Sequence, residues 1–439
     1  MRTTIYKTLF IGLLCQIGFA QSFDKTKLDK YFGELETHNK FMGSVAVSQN
    51  GQIIYSKAIG FADVEKNLKA NELTKYRIGS ISKTFTAVLV LKAVEEDKLS
   101  LNQTINSYFP GIKNSDKITI KQLLNHRSGI HNFTDDEAYV TYNTQPKTEK
   151  EMVEIITLAG SDFDPDTKFS YSNSNYVLLS YILEKSFKES YAQLLQKYIA
   201  KPLNLKNTYL GGKINTDNQE AKSYSNMGSW VAEPETDTSI PLGAGGIVST
   251  ATDLAKFNDA LFQGKILKNE SLELMKTIND GYGLGLFTLP FYDKTGYGHT
   301  GGIDGFSSIF TYFYDGKISY VLISNGTNVK INDISIAVLS AVYNKPYELP
   351  VFSTYKVTAQ DLDKYLGMYV SKQIPLKIEI TKEGATLIAQ ATGQSSFPLE
   401  AIEKDKFKFD LAGIVLEFNP VEKTVILKQG GGQFTFTKE

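Results

Sequence analysis

Apolar positions along this 439-residue chain follow a helical period in some segments and alternate with polar positions in others. Helical spacing predicts helices at residues 23–39, 80–95, 118–126, 150–159, 175–185, 191–199 and 331–343. Alternation around the turn sequences Asn50-Gly51 and Asp315-Gly316-Lys317 predicts two β-hairpins, with strands at 43–49, 52–59, 306–314 and 318–324. Strands thus enclose a mostly helical middle, so we expect one antiparallel sheet built from distant segments, flanked by helices and carrying a helical insertion.

The pattern changes again after residues 344–355, a segment that contains Pro346 and Pro350. Beyond it, short alternating runs separated by turn residues predict strands at 376–381, 385–390, 406–411, 415–418, 424–428 and 433–437. Many short strands of this kind are typical of a small all-β barrel. The predicted fold class is α/β in the α+β sense, with a first domain at 21–350 and a C-terminal β-barrel domain at 356–439.

The N-terminus has the pattern of a secretory signal peptide. Arg2 and Lys7 precede an apolar stretch that ends with the small residues Gly18 and Ala20. That stretch is short against the ~20 residues that a membrane-spanning helix needs. The only cysteine, Cys15, lies inside it, so the mature chain would have no disulfide and no cysteine nucleophile. We therefore expect a signal peptide at 1–20 and a bacterial periplasmic or secreted protein without stable membrane insertion.

The charge balance excludes several classes of partner. The chain has 47 Lys and Arg residues against 48 Asp and Glu residues, a net charge of −1, so nothing indicates a general attraction to nucleic acid. Its four histidines have no metal-ligand spacing. We expect no metal, no cofactor and no nucleic-acid partner, and a small-molecule or peptide substrate. The oligomeric state is left open.

The first candidates for chemistry are Ser80 and Lys83, which lie three residues apart at a predicted helix start and so share one face. A serine hydroxyl is a poor nucleophile at neutral pH, but an amine whose pKa burial has lowered can take its proton. The same spacing also occurs elsewhere, at Ser22/Lys25 and Ser353/Lys356. Only the copy at Ser80 precedes an apolar run, at 85–94, that predicts a buried helix.

Two further motifs follow in order, Tyr171-Ser-Asn173 and His299-Thr-Gly301-Gly302. Ser-x-x-Lys, Tyr-x-Asn and His-x-Gly in this order resemble the serine β-lactamase-like family. That family includes class C β-lactamases, D-alanyl-D-alanine carboxypeptidases, D-aminopeptidases and related esterases. The resemblance extends over about residues 23–345, and the segment from Leu362 resembles a β domain often appended to the family.

The resemblance implies a role for each residue. Ser80 would attack a carbonyl while Lys83 and Tyr171 manage the proton. The N–H groups of Ser80 and Gly302 would hold the oxyanion, and Gly301 would let the strand approach closely. Asn173 would hold the substrate or order Lys83.

Alternatives remain open at this point. Taken alone, the phenol of Tyr171 would have a lowered pKa beside a lysine ammonium, so either Lys83 or Tyr171 could be the main base. Tyr171 could instead be only a buried tyrosine, and Asn173 only a helix N-cap. His126 is interpreted as a structural histidine at a helix end rather than as a base.

The sequence departs from the family pattern at two places. His299 stands where true β-lactamases have a lysine, and a mostly neutral histidine suits a substrate carboxylate less well than a permanent cation does. Asp166 stands where the family usually has glycine, and aspartate tolerates a positive φ better than most residues do. The first departure disfavours β-lactams and favours ester or peptide substrates.

The sequence therefore predicts an exported serine hydrolase that acts through an acyl-enzyme on an ester or amide. Its substrate class would be a short-chain ester, a D-amino-acid peptide or a cell-wall peptide. A weak β-lactamase and a non-catalytic protein that binds cell-wall peptides are the alternatives. The chain has no Gly-x-Ser-x-Gly motif, the usual signature of serine-histidine hydrolases.

Overall fold

The computed structural model describes residues 24–352 and 355–439. The predicted signal peptide at 1–20, with Cys15, lies outside these residues. Within the described ranges, no helix combines the length and the apolar character needed to cross a membrane. The mixed α/β class that the sequence predicts is confirmed, and so is the C-terminal β-barrel, which has eight strands where the sequence predicts six.

A six-stranded antiparallel sheet forms the centre of the larger part of the protein. Its strands, in spatial order, are Phe287–Phe291, Lys294–Ile303, Phe306–Phe313, Ile318–Thr327, Phe41–Gln49 and Gln52–Ile59. The N-terminal hairpin joins the C-terminal strands because Val45 is the register partner of Leu322. The predicted sheet built from distant segments is therefore present.

Helices cover both faces of this sheet, so its central strands are buried on both sides. Val45 and Val47 face a core formed with the first and last helices, whereas Ala46 belongs to the core on the opposite face. The α-helices of the described residues are Lys25–Thr37, Ser82–Glu95, Ile120–Leu124, Tyr139–Tyr142, Glu149–Ala159, Asn173–Phe187, Tyr191–Leu195, Ala251–Phe262, Asn269–Lys276 and Ile331–Val342.

Several predicted helices are shorter than expected, among them the following two. The segment predicted at 118–126 is helical only over Ile120–Leu124, because the side chain of Thr119 caps the helix and accepts from the Gln122 backbone N–H. The segment predicted at 191–199 is an α-helix only to Leu195, and a π-helical turn follows over Gln196–Ala200.

The shorter strands outside the central sheet and the barrel form small sheets of their own. They are Phe61–Asp63 with Leu68–Lys69, then Tyr76–Arg77 with Ile247–Ser249 and Tyr209–Leu210, and a small hairpin of Tyr224–Asn226 with Trp230–Ala232. The turn of this hairpin lies against the C-terminal barrel. A Cβ added to Gly228 at the turn would lie only 2.7 Å from Thr386 Oγ1 of a barrel strand.

The barrel has its own hydrophobic core, which includes Tyr369, Phe407 and Phe436. Its strands are Gly367–Ser371, Lys377–Glu383, Thr386–Ala391, Phe397–Glu403, Lys406–Phe409, Ile414–Asn419, Thr424–Gln429 and Gly432–Lys438. Closing the sheet removes its edges, so the barrel presents no unpaired strand. The domain limits at 350 and 356 stay predictions.

Candidate active site

Ser80 and Lys83 lie at the start of the buried helix Ser82–Glu95, but the helix begins later than the sequence predicts. Ser80 belongs to a 3₁₀ turn, Gly79–Ile81, that leads into the helix. The turn still places both side chains together, with Lys83 Nζ 2.9 Å from Ser80 Oγ. The hydroxyl faces a cavity, whereas the lysine is completely buried behind it.

Lys83 is held by uncharged acceptors. Its Nζ lies 2.7 Å from Asn173 Oδ1 and 2.8 Å from the backbone oxygen of Ala244. Burial moves the pKa of Lys83 well below its ordinary value of 10.5, and no carboxylate of the described residues contacts its Nζ. Burial therefore shifts Lys83 toward the neutral amine, which is the form that can accept a proton.

For the neutral amine, the contacts of Nζ decide where its lone pair points. A neutral amine has two N–H donors and one lone pair, and the oxygens of Asn173 and Ala244 can only accept. Lys83 therefore donates to these two oxygens, and its lone pair remains for the hydroxyl of Ser80. This is the arrangement that a general base needs against its nucleophile.

Asn173 orders Lys83, as one of the two predicted roles requires. It begins the helix Asn173–Phe187, while Ser172 occupies the N-cap position, so Asn173 is not itself the N-cap. Its Nδ2 donates to Thr134 Oγ1 at 3.0 Å, and its backbone N–H donates to Asn132 Oδ1 at 2.8 Å. These bonds fix the amide so that its oxygen faces the lysine.

Tyr171 lies beside the same pair, with Lys83 Nζ 4.9 Å from its ring centroid. Burial raises the pKa of Tyr171, and a side-chain hydrogen bond with Ser80 lowers it only in part. The prediction that a lysine ammonium lowers the pKa of Tyr171 is therefore wrong, because burial raises this pKa. The phenol keeps its proton at neutral pH.

The loop before Tyr171 has the backbone shape that the sequence suggests. Asp166 has a φ of +67°, so aspartate adopts the conformation in which the family usually has glycine. Arg127 holds this loop, with its Nε 2.7 Å from Asp166 Oδ1, and it also pairs with Asp280. The ion pairs join the loops that precede Tyr171 and Tyr282.

Gly301 lies where the strand Lys294–Ile303 crosses the turn that holds Ser80. A Cβ at Gly301 would lie 2.1 Å from the Ile78 carbonyl oxygen and 3.0 Å from Ser80 N, so only glycine fits. Gly302 differs, because the nearest atom to its added Cβ would be 3.9 Å away. Gly302 lines the cavity in front of Ser80. The predicted close approach thus occurs at Gly301, with Gly302 beside the nucleophile.

His299 does not line this cavity. Its Nδ1 lies against the carbonyl oxygen of Thr300, which can only accept, so Nδ1 carries the proton. Its Nε2 then accepts a hydrogen bond from Tyr282 O–H at 2.9 Å. Burial lowers the pKa of His299 to about 3, so the imidazole is neutral at physiological pH. It contacts the aromatic side chains behind Ser80 rather than the substrate space.

The cluster behind Ser80 contains residues that sequence reasoning did not assign to the site, namely Tyr176 and Tyr282. The ring of His126 lies 4.3 Å from that of Tyr171 and 4.8 Å from that of Tyr282. Nδ1 of His126 accepts from the backbone N–H of Ser172 at 3.1 Å, and burial lowers its pKa well below 6.5. His126 is therefore a neutral structural side chain, and no sequence motif links it to Tyr282.

The cavity in front of Ser80 has a volume of about 720 Å³. Its wall is largely apolar, with acidic side chains at one side; the lining includes Phe133, Tyr139, Val140, Pro234, Pro241 and Ile303, and the acids Glu233 and Asp304. Among the described residues that line it, none is Lys, Arg or His. A substrate carboxylate would find no cation here.

Comparison with known proteins identifies the class. The Beta-lactamase family model matches residues 28–341, and the chain belongs to this family. Teichoic acid D-alanine hydrolase of Staphylococcus aureus (strain MRSA252) is 30% identical over 332 residues, which cover 73% of this chain and 79% of that protein.

Solved structures agree with this assignment. D-amino acid amidase from Ochrobactrum anthropi SV3 is similar over 72% of this chain and 99% of its own, with 25% identity and a TM-score of 0.63. The octameric penicillin-binding protein homologue from Pyrococcus abyssi is similar over 94% of this chain and 100% of its own, with 26% identity and a TM-score of 0.65. The protein is a serine hydrolase of the β-lactamase fold.

Proposed function

We propose that the protein hydrolyses esters or amides through an acyl-enzyme on Ser80, with neutral Lys83 as the general base. The observation that carries this proposal is the set of three contacts at Lys83 Nζ. Two acceptors use its N–H groups and leave its lone pair to Ser80 Oγ at 2.9 Å. Burial supplies the neutral amine without an external base.

The reaction then follows from the placement of the groups. Ser80 Oγ attacks the substrate carbonyl carbon, and its proton passes to Lys83. The backbone N–H groups of Ser80 and Gly302 stabilise the negative oxygen of the tetrahedral intermediate. Tyr171, which keeps its proton, relays a proton to the leaving alcohol or amine as the carbon–oxygen or carbon–nitrogen bond breaks. Water attacks the ester on Ser80 and regenerates the hydroxyl.

The finer substrate class is a D-aminoacyl ester or amide. Support comes from the relatives, whose names describe a D-alanine hydrolase of teichoic acid and a D-amino acid amidase. The cavity agrees with this class, because its wall holds carboxylates and no cation. For the same reason a β-lactam, which has a carboxylate, is a poor fit.

The test is turnover of p-nitrophenyl acetate, of D- and L-alanine p-nitroanilide, and of nitrocefin. We expect hydrolysis of the acetate and a preference for the D-anilide, with little cleavage of nitrocefin. Ser80→Ala should lose turnover of the acetate and of the anilides, whereas Ser353→Ala, at another Ser-x-x-Lys pattern, is the matched control. Turnover by folded Ser80→Ala at the native rate would exclude the mechanism.

We also propose that the protein is exported by the signal sequence at 1–20. The support is the charge and apolar pattern of that segment. Mass spectrometry of the N-terminus of protein from the culture medium or periplasm should find it at Gln21. An intact Met1 on cytoplasmic protein would contradict this proposal.

A further inference from the structure

Glu233 has the one free carboxylate in the wall of the substrate cavity within the described part of the chain. It is half-buried, and no described group hydrogen-bonds or forms an ion pair with its side chain. The other acid of that wall, Asp304, is fully paired. Its Oδ2 lies 2.9 Å from Arg77 Nη1, and its Oδ1 accepts from the backbone N–H of Thr236 at 3.0 Å.

The protein holds the Glu233 side chain in place although no group in the described part of the chain pairs with its carboxylate. Its backbone N–H donates to the carbonyl oxygen of Ser223 at 2.9 Å, at the end of the small hairpin. Gly305 packs against its side chain, since a Cβ there would lie 3.1 Å from Glu233 Cγ. Trp230 braces the hairpin by donating to Asn39 Oδ1 at 2.7 Å. The carboxylate is therefore presented to the cavity by a braced element.

A fixed, half-desolvated carboxylate without a partner favours a cation in contact with it. No lysine, arginine or histidine among the described lining residues supplies that cation. The remaining source is the ligand. We infer that Glu233 is the specificity-determining residue of the site and that it binds the ammonium group of a cationic substrate. This inference rests on the proposed hydrolysis at Ser80 and names the group that selects its substrate.

Two substrates of equal size separate charge from shape. D-alanine p-nitroanilide has an ammonium group, and D-lactic acid p-nitroanilide has a hydroxyl group in its place. For the native protein we expect kcat/KM to be at least about tenfold higher for the D-alanine compound. Glu233→Gln should bring the ratio of the two kcat/KM values close to one, mainly through KM for the cationic substrate.

Glu137→Gln is the matched control, because Glu137 is an exposed carboxylate in the segment that leads to Tyr139 and Val140 and does not line the cavity. It removes the same charge and should keep the native ratio. If the ratio fell equally in both variants, the preference would come from the overall negative charge near the cavity rather than from contact with Glu233. That result would overturn the inference. So would a native ratio of one, or an unchanged ratio in Glu233→Gln.

The melting temperature is the second readout. Since no described group pairs with the carboxylate, Glu233→Gln should melt within about a degree of the native protein. A strongly destabilised variant would show that the carboxylate has a structural partner, which also overturns the inference. Turnover of p-nitrophenyl acetate separates the two proposals. If that turnover does not depend on Ser80, the proposed function fails. If it depends on Ser80 but the native protein hydrolyses the D-alanine and D-lactic acid anilides with equal kcat/KM, only the role of Glu233 fails.

Discussion

The two sides of Ser80 differ in how they treat charge. Behind the serine, Lys83, Tyr171 and His299 are buried, and burial shifts the pKa of each toward its neutral form. In front of it, the cavity wall holds two carboxylates: Asp304 pairs with Arg77, and Glu233 has no ion-pair partner among the described residues. The comparison shows that proton transfer needs an uncharged base at Lys83, whereas the substrate selection that we propose needs the carboxylate of Glu233 in the cavity wall.

The largest expected loss of activity comes from replacing the buried lysine behind Ser80. Lys83→Met removes the amine and keeps a long apolar side chain, so kcat/KM for p-nitrophenyl acetate should fall by about 10³-fold. Lys356→Met, at an exposed lysine of the same Ser-x-x-Lys spacing, is the control. Activity of folded Lys83→Met within tenfold of native would show that Lys83 is not the base.

A second test disturbs the contact between the strand Lys294–Ile303 and the turn that holds Ser80. Gly301→Ala should lose about 100-fold in kcat/KM, because its Cβ would meet the Ile78 carbonyl and push the strand from Ser80. At the next position, Gly302→Ala would bring its Cβ no closer than 3.9 Å to the nearest atom, the Phe306 carbonyl oxygen, so it should lose far less. Steady-state kinetics of both variants, with circular dichroism to check folding, compares them. Equal losses would contradict the close approach at Gly301.

The neutral histidines predict how stability depends on pH. The folded pKa of His299, about 3, is below the unfolded value of about 6.5. The unfolded state therefore binds more protons below that value, and stability falls as the pH falls from about 6.5 toward 3. At pH 5 this loss is about 2 kcal/mol for one such histidine. Urea denaturation of the native protein and of His299→Gln, each at pH 5 and at a pH above about 6.5, checks this prediction. The variant should lose less stability than the native protein on going to pH 5. Equal losses would contradict the prediction.

The smallest effect concerns the contact of the hairpin with the barrel. Gly228→Val would meet Thr386 and move the hairpin that leads to Glu233, so KM should rise a few-fold with kcat nearly constant. Gly393→Val is the matched control, because Gly393 also has a positive φ but open space around it. Kinetics with D-alanine p-nitroanilide measures the difference. A KM that rises equally in both variants would show that the effect is backbone strain.

Sequence patterns predicted the sheet, the barrel and the order of the motifs, because period and turn residues are local properties. They also predicted that Ser80, Lys83, Tyr171 and Asn173 belong together, and the structure brings these four side chains into contact. What they could not predict is burial. The pKa of Tyr171 rises instead of falling, because its surroundings come from loops far apart in the chain.

His299 shows the same limit. Its position in a motif suggested contact with substrate, but the ring turns to Tyr282, which belongs to another segment. Glu233 is the opposite case, since it lies in no motif and reaches the cavity through a hairpin that packs on the barrel. Neither the orientation of the His299 ring nor the position of Glu233 in the cavity wall gives a periodic or motif signal in the sequence.

The most direct test of the central claim is the pH dependence of fluorophosphonate labelling, with the labelled residue identified by peptide mass spectrometry. We predict labelling at Ser80, at a rate that reaches its plateau well below pH 10.5 as Lys83 loses its proton, and at least 10³-fold slower labelling of folded Lys83→Met. A native rate that rises only near the ordinary pKa of lysine or tyrosine, about 10, would contradict a neutral lysine base. So would label on another residue.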